Sequence, residues 1–133
     1  MLKKLLATIA LTIFTLTAQA QTNTHGVAQM NHASATANIV VSGAMNSKHG
    51  HFTGNVTVSS DHAVLNDTKV KGSITVKSNK NNPVLELLCG SKISGDITFD
   101  GKSGVVKKSA DSVVTGKVIN GKTEEITQKD NCE

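Results

Sequence analysis

The sequence predicts an all-β, single-domain parallel β-solenoid (β-helix) of about four coils. Three observations predict it. A seven-residue pattern recurs, its recurrences lie about 20 residues apart, and no window of about ten residues downstream of residue 20 carries a helical period. The recurring stretches are Phe52-Thr53-Gly54-Asn55-Val56-Thr57-Val58, Val70-Lys71-Gly72-Ser73-Ile74-Thr75-Val76, Ile93-Ser94-Gly95-Asp96-Ile97-Thr98-Phe99 and Val114-Thr115-Gly116-Lys117-Val118-Ile119-Asn120. In each, an apolar residue, a glycine and a second apolar residue occupy alternate positions, so they share one side of an extended strand. Val, Ile and Thr dominate, as strands prefer.

The N-terminal residues 1–20 read as a cleaved secretory signal peptide. Lys3 and Lys4 supply positive charge, Leu5 to Leu16 an apolar run, and Ala18-Gln19-Ala20 a small-x-small cleavage site. A membrane-spanning helix needs about 20 apolar residues, and this run is shorter. Cleavage after Ala20 leaves residues 21–133 and no transmembrane anchor. With no cysteine at the cut, lipid anchoring is not expected. The chain is therefore expected to be secreted or periplasmic.

Residues 21–36 are small and polar, without period, and are expected to form a flexible lead. The solenoid is expected over residues 37–121, from Ile39-Val40-Val41 onward. The glycines at 54, 72, 95 and 116 mark successive coils. Between them lie the shorter apolar pieces Ala63-Val64-Leu65, Val84-Leu85-Glu86-Leu87-Leu88 and Val105-Val106, bracketed by turn residues such as Ser59-Ser60-Asp61 and Ser78 to Pro83. Stacking the coils places Val56, Ile74, Ile97 and Val118 in one file, and Val58, Val76 and Phe99 in another. The glycines would stack where the chain bends, since a side chain there would crowd the next coil. Thr57, Thr75 and Thr98 would form an outward ladder. An antiparallel sandwich or meander is the alternative, because Asp100-Gly101 and Asn120-Gly121 are hairpin signals and Val118 to Thr123 reads as a hairpin.

The polar tail 122–133 is expected to be tied back by a disulfide between Cys89 and Cys132, as two cysteines in an exported chain suggest. Closing a loop of about 40 residues would add roughly 3–4 kcal/mol in the chain-entropy model.

The coils resemble those of right-handed parallel β-helix proteins, among them the polymer-forming bactofilins and the pectate-lyase-like solenoids, over roughly residues 50–120. The resemblance implies the fold and no activity. The catalytic base and calcium-binding carboxylates of pectate-lyase-like enzymes have no counterpart here. Bactofilins are cytoplasmic or membrane-associated, whereas this chain carries an export signal.

Charge and composition narrow the partners. Removing Lys3 and Lys4 leaves 12 Lys against 10 acidic residues, a net charge of +2. There is no Arg, Trp or Tyr, so the Arg forks and aromatic platforms of nucleic-acid binding are missing. The histidines His25, His32, His49, His51 and His62 gather in the N-terminal half, with Met30 and Met45 among them. His49-Gly50-His51, joined by His62, would suit copper or zinc. Solvated loop histidines and a pH-sensitive surface are the alternatives. After cleavage His25 is the fifth residue, so no amino-terminal copper motif arises. Asp96 and Asp100 share the outward face of one strand, but nothing predicts a cleft around them. No Gly-x-Ser-x-Gly elbow and no phosphate-binding glycine loop occurs. Asn55 and Asn66 head Asn-x-Thr sequons that a bacterial-type exported chain is expected to leave unused. The functional expectation is a non-catalytic structural or interaction protein without an obligate cofactor. Its partners would be a second copy or a cell-surface glycan, and the alternative is a periplasmic metal-binding protein.

Overall fold

The computed structural model describes the backbone at residues 8–11, 14–16, 20–22, 27–36 and 38–127, and side chains from Gln29 onward except at residue 37. Every regular element among them is a strand. No described helix is long and apolar enough to cross a membrane.

The strands wind as a three-sided solenoid. A first winding comprises β1 (Thr8–Leu11), β2 (Phe14–Leu16) and β3 (Ala20–Thr22). Then follow β4 (Val27–Asn31), β5 (Ala33–Ala35) and β6 (Ile39–Val41), and next β7 (Ala44–Lys48), β8 (His51–Phe52) and β9 (Val56–Ser59). The middle of the rod is β10 (His62–Asn66), β11 (Lys69–Val70) and β12 (Ile74–Ser78), then β13 (Val84–Leu88), β14 (Lys92–Ile93) and β15 (Ile97–Gly101). The last winding is β16 (Gly104–Ser109), β17 (Val113–Val114) and β18 (Val118–Ile119), after which β19 (Gly121–Ile126) begins another. Each winding lays one strand on each of three parallel sheets, A, B and C in that order, with seven, six and six strands. From Val27 to Ile119 this makes five turns, one more than the sequence pattern suggests.

The apolar files are in register. On sheet C, Ile39, Val56, Ile74, Ile97 and Val118 form one column, and Val41, Val58, Val76 and Phe99 a second. All are buried except Val118, which is partly so. On sheet A the columns are Met45, Ala63, Leu85, Val106 and Ser47, Leu65, Leu87. On sheet B the column is Ala35, Phe52, Val70, Ile93, Val114. Thr57, Thr75 and Thr98 stack on the opposite side of sheet C. No coil could bury its apolar face alone, so the core exists only through stacking.

The glycines explain the bend between sheets B and C. A Cβ on Gly95 would lie 2.5 Å from the carbonyl oxygen of Gly72. One on Gly72 or Gly116 would run into the carbonyl of Gly54 or Gly95. Each seven-residue stretch thus starts on the last residue of a sheet B strand, passes a glycine corner and enters a strand on sheet C.

Several expectations change. The paired strands are parallel, so the antiparallel alternative does not hold. Asn120-Gly121 is a corner, not a hairpin: β18 and β19 belong to different sheets, and Asn120 alone separates them at φ 57°. Asn and Gly favour positive φ, and a solenoid corner uses that preference as readily as a hairpin does. Residues 27–36, expected in a flexible lead, contribute β4 and β5, and Met30, Ala33 and Ala35 are buried. Alternating small apolar side chains suffice there because the neighbouring rungs supply the bulk. Residues 121–126 of the expected tail continue sheet A as β19. The expected signal segment places β1, β2 and Ala20 in the first winding, so cleavage after Ala20 would remove both of those strands. Cys132 lies outside the described residues.

Candidate functional site

The corner between sheets A and B carries the densest chemistry. The residue that turns it has positive φ in four successive windings: His32 (56°), His49 (55°), Asp67 (45°) and Cys89 (57°). Corners of one to three residues turn through this left-handed backbone, which His, Asp and Asn adopt more readily than most residues. The side chains of His32, His49 and Asp67 meet along the rod. The rings of His32 and His49 lie 4.8 Å apart, inclined by 19°. His49 Nδ1 is 2.7 Å from Asp67 Oδ2.

Inside the same corner runs a second file, of buried hydroxyls. Ser47 Oγ and Thr68 Oγ1 are 3.0 Å apart. The Thr68 amide donates to Ser91 Oγ and the Ser91 amide to Ser112 Oγ, each at 3.1 Å. Ser91 Oγ in turn donates to Leu88 O at 2.7 Å, with Leu65 O at 2.9 Å. These hydroxyls satisfy amides and carbonyls that the sheets cannot reach where the chain turns. Asp111 closes the file. It accepts the Ser109 hydroxyl and the Gly90 amide, and the Ser109 bond chiefly holds its carboxyl below the ordinary carboxylate value.

The residues expected to gather around a metal do not all converge. His49 lies at this corner. His51 is exposed on sheet B, in register with Ser34 and Lys69. His62 opens β10, and its Nε2 lies 2.7 Å from Glu86 Oε2. The length of β10, about 16 Å, separates His62 from the corner. Met30 and Met45 are buried in the core. His25 lies outside the described residues. Among the described residues no group of three or more His, Cys, Asp or Glu side chains is placed to hold a metal ion. The stack of His32 on His49 went unread in the sequence. Its one signal is that both residues directly follow the end of a sheet A strand.

Of the two acidic candidates, Asp96 bonds to the rod's own backbone, whereas Asp100 lines an open cleft. Asp96 Oδ1 accepts the Lys117 amide at 2.8 Å, as Asn55 Oδ1 accepts Ser73 and Asn38 Oδ1 accepts Asn55, each at 2.9 Å. These side chains form a ladder beside the stacked glycines. Asp100 is about 13 Å further along the strand.

The cleft lies at the corner between sheets C and A. Five residues, 79–83, join β12 to β13, whereas two residues make the corners before β10 and before β16. The longer loop walls an open cleft of about 690 Å³. Lining it are the hydroxyls of Ser59, Ser60 and Ser78, with Asp61 and Lys80 paired at 3.5 Å. Such a surface can hydrogen-bond a polar ligand. It contains no histidine, cysteine or aromatic ring.

Comparison of the chain with known protein families, with curated proteins and with solved structures finds no match.

Proposed function

We propose that the chain is an exported, non-catalytic β-solenoid that serves as a structural or interaction protein of the periplasm, cell surface or extracellular matrix. The observation that carries this reading is the use made of its polar groups. The hydroxyls, carboxylates and amides at the corners are bonded into the rod's own backbone, where they hold rung to rung. An export-type leader precedes them. The strand edges that the end coils of a solenoid offer support self-association as the kind of interaction. A disulfide between Cys89 and Cys132 belongs to the same reading, since an oxidising compartment would form and keep it.

Cell fractionation with N-terminal sequencing tests the export step. Recovery outside the cytoplasm with Gln21 as first residue is the expected result, and an uncleaved cytoplasmic chain would refute it.

The second reading, a periplasmic copper- or zinc-binding protein, is favoured by one feature. Asp67 engages Nδ1 of His49, the arrangement by which carboxylates orient metal-binding imidazoles through the other nitrogen. Calorimetric titration with either ion decides this. Affinity above that of a short His-x-His peptide, lost in His49→Ala, supports the metal role.

A further inference from the structure

The two ends of the rod are chemically unlike. At the C-terminal end, the inward columns of sheet A stop being apolar. Below Met45, Ala63, Leu85 and Val106 comes Thr123. Below Ser47, Leu65 and Leu87 come Lys108 and then Glu125. Lys108 Nζ donates to Ser112 O at 3.2 Å and lies 3.8 Å from Glu125 Oε2. Inward-pointing charges on a terminal rung penalise the addition of another strand.

The N-terminal end is the reverse. Met30, Ala33, Ala35, Ile39 and Val41 are all apolar and at most 3% exposed. The first winding lies over them, with Leu11 opposite Met30, Phe14 opposite Ala33, and Leu16 opposite Ala35. Cleavage after Ala20 strips four register pairs from β4 and three from β5. What remains on sheets A and B is an apolar floor of Met30, Ala33 and Ala35 bordered by unpaired backbone N–H and C=O groups, while Gln21 and Thr22 stay in register with Val40 and Val41 on sheet C. Only another strand satisfies both features at once.

We propose that removal of residues 1–20 uncovers a dimerisation edge, at which two mature chains join head to head as a closed two-fold dimer. The β4 strand of one copy pairs antiparallel with the β4 strand of the other, and the two apolar floors meet. The opposite geometry, head to tail, would press this floor onto Thr123, Lys108 and Glu125 and bury the charges of the last two. A two-fold contact uses the same surface on both copies and closes, so the product is a dimer rather than a fibre. This inference rests on the export reading and names the partner within it, a second copy of the chain.

The backbone suggests the deciding variant. His32 N donates to Lys48 O, so its amide faces the next rung. Donors alternate along a strand in a parallel sheet, so the Gln29 and Asn31 amides face the uncovered edge. Gln29→Pro removes one edge donor and leaves the bonds to the next rung in place. Exported protein is purified, its first residue is determined, and its mass is followed by light scattering over a range of concentration. The expected result is a chain beginning at Gln21 with twice the mass of one copy. Gln29→Pro should have the mass of one copy with its β circular dichroism retained, and Glu125→Ala should remain dimeric. If Gln29→Pro does not fold, hydrogen exchange on the unaltered chain decides, and the Gln29 and Asn31 amides should be protected. A chain beginning at Gln21 that stays single, fast exchange at those amides, or a dimer lost in Glu125→Ala would overturn the inference while export stands. A chain still beginning at Met1 overturns both.

Discussion

His32, His49, Asp67 and Cys89 hold a left-handed backbone where the chain leaves sheet A and turns towards sheet B within one to three residues. Gly90 shares that conformation at φ 73°, yet a Cβ there would meet nothing closer than Asp111 Oδ2 at 3.8 Å. Gly95 is the contrary case, short of space between rungs. Gly95→Ala should therefore destabilise the fold by about 2 kcal/mol or more, and Gly90→Ala by only about 1 kcal/mol. Urea unfolding of residues 21–133 compares the two directly. Asp111 gives a prediction in pH. Its carboxyl titrates lower in the folded chain than the ordinary 3.8, so its contribution is present above that value. The contribution is lost as the pH falls through the lowered folded value. Asp111→Asn should lower stability at neutral pH, leave it little changed at low pH and so flatten the acid limb of a stability–pH profile, which melts between pH 2 and 7 would show.

Strands of two to six residues, such as β11 and β16, gain persistence from the neighbours above and below. Ile74 illustrates this, fully buried between Val56 and Ile97. Ile74→Ala should cost about 2–5 kcal/mol by deleting buried volume, whereas Thr75→Ala, on the outward face, should cost about 0.5 kcal/mol or less. The hydroxyl file at the A/B corner is the polar counterpart. Ser91 Oγ serves the Thr68 amide and the carbonyls of Leu65 and Leu88. Ser91→Ala deprives the buried Thr68 amide of its hydroxyl acceptor, a loss of about 1–3 kcal/mol, and denaturant melts should place it well above any exposed serine.

Across the whole molecule, stability accumulates from rung to rung, so anything that ties distant rungs together has leverage. The proposed Cys89–Cys132 bridge would do this. Cys132→Ser should lower stability by about 3–4 kcal/mol under oxidising conditions and should make no difference once reductant is added. Equal melting of both chains without reductant would count against the bridge. At this scale the end rungs also matter more than their size suggests. Among the described residues the columns are apolar at Met30, Ala33 and Ala35, while Thr123, Lys108 and Glu125 occupy the sheet A columns on the last described rungs.

The spacing of Gly54, Gly72, Gly95 and Gly116, and the alternation of Val and Ile around them, were enough to determine winding, column membership and the glycine corner. Each depends on a period, and a period is a local property of the chain. The three-sided section, the extra turn built on Met30, Ala33 and Ala35, and the change from hairpin to corner at Asn120-Gly121 were decided only in three dimensions. The reason is that Asn-Gly specifies a backbone conformation and not the partner of the strand that follows. The same holds for the candidate chemistry. His49 and His51 are near neighbours in the chain, but on a solenoid the axial neighbour of His49 is the residue one winding away. That winding brings it His32 and Asp67, while a strand's length keeps His62 at a different corner.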